Sequence, residues 1–442
     1  MVLPVESVAS DADLPEKVDV VVIGGGIIGV SAAFNLAKKG YSVALLEKGK
    51  VGAEQSSRNW GWCRVQGRSL PEVPLARFSL SCWNDMERDV GRDVGFRRTG
   101  LLVVTDDPKE LAELEEWVER AQPYQLDSRM LSPAELRAML PDAAGSWLGG
   151  LYSASDGRAE PLKAAPAIAE AARRMGVTIH QGCAARGMET TGGKVSAVVT
   201  ERGRIRTSAV LCAGGAWASM FCRRHGISLP QAGVFATACR TEPAPEVMPG
   251  GISTGGYAFR RRDDGGYTVA IAGAGRVELT PQNIRYAWKL MPLYRKRRKK
   301  VRITIGPSFF RGPEASGSWS FNEVSPFEKI RIFDPPANMD LINKAMARFR
   351  ADYPVLADIK VAEAWGGFID STPDARPVIS AVDKLPGFFV AAGFSGHGFG
   401  LGPGAGRLAA DLVSGDAPIV DPHAYRYSRF TDGTKLRPSS WV

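Results

Sequence analysis

Cysteine is sparse in this 442-residue chain. The six thiols (Cys63, Cys82, Cys183, Cys212, Cys222, Cys239) form no CxxC pair and show no zinc-ligand spacing. A disulfide framework and a zinc module are therefore excluded; reduced, mostly buried thiols in a reducing, cytoplasmic compartment are expected, and no metal site. The N-terminal stretch MVLPVESVASDADLPEK has neither a basic start nor an apolar core, so it does not read as a signal peptide. Long apolar runs are missing as well. The longest, residues 20–34, carries three consecutive glycines and soon meets Lys38-Lys39-Gly40, which is short for a membrane span. No fixed-period repeat is present. Acidic balance is lacking, at a net charge of +9, but six positive charges sit in RKRRKK, residues 295–300, leaving only about +3 elsewhere. That run has no aromatic-studded recognition module around it, so no nucleic-acid partner is expected. What remains is ordinary: 44% hydrophobic and 23% charged residues describe a globular enzyme, and the length suits two or three domains.

The strongest pattern is VDVVVIGGGIIGVSAAFNLAKKGYSVALLEKG, residues 18–49. Residues 18–23 read as a buried parallel strand. Gly24-x-Gly26-x-x-Gly29 follows, then a helix over 30–39 closed by Gly40, then a second strand over 42–46 ending at Glu47. The glycines suit a tight turn, a close backbone approach to a pyrophosphate, and close helix–strand packing. The amides around Ile27 and Ile28 open the helix, where a free N–H and the helix dipole favour phosphate. Glu47 stands where a carboxylate accepts a ribose diol, and an acid there disfavours a 2′-phosphate.

Two later glycine-rich segments decide between dinucleotides. AVLCAGGAW (209–217) is a strand running into Ala213, Gly214 and a helix. GFFVAAGFSGHGFGLGPGAGRLAADLVSG (387–415) is a strand, a loop of small residues around Gly396, His397, Gly398 and Phe399, then a helix. A simple NAD domain has no use for this third element. A cofactor with a second ring system does, because backbone must approach the isoalloxazine and helix amides can stabilise its negative charge on reduction. FAD is expected, and with no cysteine between residues 240 and 442 to carry it, non-covalent FAD. His397 reads as a loop residue beside the flavin acting through its backbone, rather than as a base.

These three elements, in this order, resemble the D-amino acid oxidase, glycine oxidase and sarcosine oxidase superfamily. EKGKVGAEQSSR (47–58), GCAARGMETTGGKVSAVVTERGRIRTS (182–208), FNEVSPFEKIR (321–331) and TPDARPVIS (372–380) are more closely similar to bacterial membrane-associated L-amino acid deaminases. The chain lacks their N-terminal hydrophobic anchor and has tryptophans and a cysteine in SSRNWGWCR. The resemblance implies an α/β fold: a discontinuous Rossmann-like FAD domain (17–90, 154–230, 361–430) and an interleaved α+β substrate domain (91–153, 231–360) on a mixed or antiparallel sheet. Residues 305–340, with five prolines and three glycines, read as a loop-rich excursion.

The resemblance also implies roles. Gln55, Ser56 and Ser57 would donate to phosphate and ribitol oxygens, Arg58 and Arg64 would offset cofactor charge, and Lys48 and Ala185 would touch the cofactor. Trp60 and Trp62 reach the ring end, either walling a cavity or packing between domains. Arg276 would bind the substrate carboxylate, its planar fork suiting that group. Trp365 and Phe368, with Phe259 behind them, would wall the cavity. The expected reaction is oxidative deamination of an L-amino acid to a 2-oxo acid and ammonia, with O2 as electron acceptor. D-amino acids, sarcosine or opines, and a peripheral membrane dehydrogenase contacting the bilayer through residues 284–303, stand as alternatives. The oligomeric state is open, a homodimer being one arrangement.

Overall fold

In the computed structural model, which describes residues 3–298 and 301–438, the fingerprint folds as strand Val20–Ile23, helix Ile27–Lys38 and strand Val43–Glu47. The two strands pair in parallel, Val20 opposite Val43. Apolar runs buried on both faces extend this sheet: Ala209–Cys212 and Thr178–Gln181 join in parallel, then Phe388–Ala392, with Val378–Ala381 antiparallel at the edge. Helices Ile27–Lys38, Val73–Val90, Pro161–Arg174 and Gly398–Ser414 cover one face. On the other lie Trp217, Phe221 and an antiparallel sheet of Ala185–Thr191, Lys194–Thr200 and Arg204–Arg206.

The glycine-rich helix Gly398–Ser414 packs closely on its neighbours. A Cβ on Gly402 would lie 2.6 Å from Ile27, on Gly404 2.8 Å from Ser79, and on Gly406 2.4 Å from Ser31. The helix can therefore begin directly over the dinucleotide turn.

The second layer is a mixed ten-stranded sheet among the described residues. Its axis is the long antiparallel pair Ala232–Thr241 and Val361–Ser371, with Phe235 opposite Phe368. Val361–Ser371, expected in the last FAD-domain segment, is thus a strand of this second sheet. The acidic helix Pro108–Ala121 starts at Asp107, whose carboxylate accepts the Lys109 amide; Pro133–Met139 starts in a Ser132/Glu135 capping box. Within 305–340 only the short turns Pro307–Phe309 and Pro326–Lys329 precede the helix Met339–Asp352. All six cysteines are free, and all but Cys82 are buried. No described helix is long and apolar enough to cross a membrane, and no group of described residues could hold a metal ion. Lys299 and Lys300 of the basic run lie outside the described residues.

Candidate active site

A continuous cavity of about 1090 Å³ runs between the two layers. Gly24, Gly26, Ile27, Ile28 and Glu47 line one end. A Cβ on Gly24, whose φ is +108°, would sit 2.5 Å from Ala213 O; a Cβ on Gly29 would sit 1.9 Å from Gly24 O. The turn is closed to any larger side chain, which leaves the cavity floor bare backbone. Ser56 Oγ accepts the Ile27 amide at 2.9 Å and Glu47 accepts those of Gly25 (2.8 Å) and Gly49 (2.7 Å), so both side chains brace the turn. Burial raises the Glu47 carboxyl above its ordinary range. Two ribose hydroxyls facing this carboxylate would complete its acceptor capacity.

The middle of the cavity is walled by Gln55, Ala185, Ala213 and Gly214. Three expected contacts point elsewhere. Lys48 Nζ donates to Glu54 (2.6 Å) and to the carbonyls of Ile330 (3.0 Å) and Arg331 (2.9 Å). The Arg58 guanidinium donates to Gly366 O (2.8 Å) and Asp334 (2.7 Å). Ser57 bonds the Glu54 carbonyl and does not line the cavity. These bonds join chain segments, although Lys48 and Arg58 still line the cavity and Arg58 keeps one buried nitrogen, Nη2, without a partner. Arg331, paired with Glu201, and Phe333, whose amide reaches Glu54, complete a clasp that lays residues 330–333 over Gly49.

At the far end Gly396, His397, Gly398 and Phe399 meet Trp62. A Cβ on Gly400 would touch Trp62 O at 2.9 Å, so the helix N-terminus abuts the aromatic stretch. Trp62 lines the cavity, edge-on to Trp60 with ring centroids 5.0 Å apart, and its indole N–H is buried without a partner. Phe368 lines the opposite wall, packed on Phe235 and Phe333.

Three expected substrate contacts are corrected by strand geometry. Val277 and Leu279 of the strand Gly275–Glu278 and its extension face the cavity, which turns Arg276 to the other side. There Arg276 pairs with Glu278 (3.0 Å) over the Phe235 ring, its side chain 41% exposed. Trp365 packs against Leu3, Ala238 and Ala270 and donates its N–H to Arg58 O at 3.0 Å, away from the cavity. Phe259 is core, stacked among Tyr257, Tyr267 and Phe349.

The cations facing the flavin end of the cavity are instead Arg64 and Arg68. Arg68 is 3% exposed, and its Nε and Nη1 have no partner. Burial, then Arg68, lowers the Arg64 guanidinium to about 9. Glu72 bonds Ser69 and His397 Nδ1, the latter at 3.2 Å. Burial and the two arginines hold His397 down at about 4. Burial pushes Glu72 up, but His397 and Arg68 pull harder and leave it below its ordinary value. At neutral pH an ionised Glu72 can only accept, so His397 carries its proton on Nδ1 and keeps Nε2 as a bare acceptor. Arg68 was missed in the sequence because VQGRSLPE has neither helical nor strand period; its only signal was a second arginine four residues after Arg64.

A glycine-floored dinucleotide groove opening into an arginine-lined chamber defines a flavin-dependent redox enzyme. The chain belongs to the FAD dependent oxidoreductase (DAO) family, matched over residues 19–412. It is similar to the L-amino acid deaminase of Proteus myxofaciens, solved with anthranilate: 33% identity, 97% of each chain, TM-score 0.91. The L-amino acid deaminase of Proteus vulgaris is 30% identical over 96% of this chain and all of that one, TM-score 0.90. Mitochondrial sarcosine dehydrogenase of Mus musculus is 26% identical over 96% of this chain, which spans only 43% of that relative.

Proposed function

We propose that the chain oxidises an L-amino acid to a 2-oxo acid and ammonia. Bound FAD supplies the hydride acceptor. The substrate loses Cα–H as hydride and one N–H proton; water adds to the resulting imine and ammonia leaves. The chain's part is to hold Cα in register, exclude water and fix the carboxylate. The observation that carries this reading is Arg68, a buried arginine with unpartnered donors in the chamber beyond the dinucleotide groove. Burying such a group costs several kcal/mol unless an anion meets it, and a bidentate carboxylate does. The L configuration is supported by the two deaminases and the electron acceptor is read as O2, giving H2O2. The sarcosine dehydrogenase likeness favours a second reading, oxidation of N-methyl amino acids.

Anaerobic bleaching of the flavin by L-, D- and N-methyl amino acids separates these readings. Arg68→Gln should raise KM for amino acids by more than tenfold, since a charged hydrogen bond contributes about 1.5–3 kcal/mol. Arg276→Ala should change KM less than twofold. Oxidation of a decarboxylated amine as fast as its parent amino acid would remove Arg68 from the substrate site.

A further inference from the structure

Of the five arginines that line the cavity, Arg64 and Arg68 stand nearest His397 and Glu72, and one α-carboxylate accounts for one of them. Arg64 makes a single hydrogen bond, Nη1–H to Gln66 O at 3.0 Å, and leans over the Trp62 ring with 5.6 Å to its centroid. Among the described residues neither Arg64 nor Arg68 is in a direct ion pair, although Glu72 and Asp156 act on both from nearby. The neighbouring acids are occupied. Asp156 accepts the amides of Val65 (2.7 Å) and Gln66 (3.2 Å), and burial raises its carboxyl to about 7, so it offers only part of a charge. Glu72 is bonded to His397 and Ser69 and, being ionised, partly offsets the two arginines. Glu110, on the facing wall, is bonded to Thr105 Oγ1 at 2.9 Å. His397 is neutral and adds nothing. The chamber therefore leaves guanidinium donors on two arginines free for anion oxygens.

We infer that the substrate is dicarboxylic: Arg68, the deeper arginine, takes the α-carboxylate, and Arg64 takes a second carboxylate. This rests on the amino-acid reading above and narrows it. The second carboxylate has two chemical sources, an acidic side chain or a carboxyalkyl group on the amine nitrogen, and both present the same anion to Arg64.

The test uses the FAD-loaded enzyme. Anaerobic flavin reduction is compared for aspartate against asparagine, glutamate against glutamine, and N-carboxymethylalanine against N-methylalanine. At least one dicarboxylate should exceed its neutral counterpart about tenfold or more in kcat/KM, the least a charge-assisted hydrogen bond gives. Which pair shows the gap identifies the source. Arg64→Gln should bring that ratio near one; Arg68→Gln should depress both members without closing the gap between them. Succinate should perturb the flavin spectrum at about tenfold lower concentration than succinamate, and this difference should vanish in Arg64→Gln. Neutral amino acids reacting as well as the dicarboxylates would overturn the inference and leave the amino-acid reading intact. Failure of every amino acid to bleach the flavin would instead remove that reading. An unchanged ratio in Arg64→Gln, with all substrates slowed alike, would place Arg64 at the flavin ring and also overturn it.

Discussion

Glu47 is bound through both carboxylate oxygens to the backbone of its own turn, so its loss acts on cofactor and turn together. Glu47→Gln keeps the shape and one acceptor. FAD titration of the apoprotein should show affinity falling by about tenfold, within the range of one charged hydrogen bond; an unchanged dissociation constant would remove Glu47 from the ribose. His397 has a pH signature. Its folded value of about 4 lies below the ordinary 6.5, so between these limits the unfolded chain binds a proton that the folded chain refuses. Stability from this residue is complete above pH 6.5 and is lost as pH falls towards 4, by about 3 kcal/mol. Urea unfolding across that window should show a steeper decline for the wild type than for His397→Gln; parallel curves would mean the ring is not buried neutral.

Among elements, the helix Gly398–Ser414 depends on the absence of side chains. Gly406→Ala would place a methyl 2.4 Å from Ser31 Cβ and 2.7 Å from the Ala32 backbone nitrogen, atoms that cannot rotate away. Overpacking of this kind costs about 1–3 kcal/mol. Thermal unfolding should show a lower Tm for Gly406→Ala with and without FAD, because the contact is helix on helix; a loss seen only in the holoenzyme would contradict this. Elements also divide what was legible in the sequence from what was not. The nucleotide-binding strands, glycine turn and helix were readable because their signals are local: apolar runs, capping residues and an acid at a strand end. Arg276 and Trp365 were misplaced because their roles turn on which face of a strand they occupy. That parity is set by pairing with distant strands, as in Trp365 opposite Ala238. Arg68 was invisible because a buried cation in an aperiodic loop is distinguished only by having no partner.

For the whole molecule, the open question of chemistry is the destination of the electrons. Exposed apolar side chains gather beside the basic run: Trp288 at 91% exposure, Ile305 at 87% and Phe310 at 84%. Beside cations such residues favour a reversible, salt-sensitive contact with an anionic surface. With O2 as acceptor, one H2O2 should form per 2-oxo acid in detergent-free buffer, with or without anionic vesicles. Near-zero peroxide, with turnover appearing only when a quinone or membranes are added, would replace the oxidase reading by a peripheral dehydrogenase. The clasp of Lys48, Glu54 and Arg331 bears on a different property, the lifetime of the holoenzyme. Arg331 and Ile332 line the cavity beside Gly49, and Lys48 holds this segment through the Ile330 and Arg331 carbonyls. Such a strap would slow exchange of FAD by making departure wait for those bonds to open.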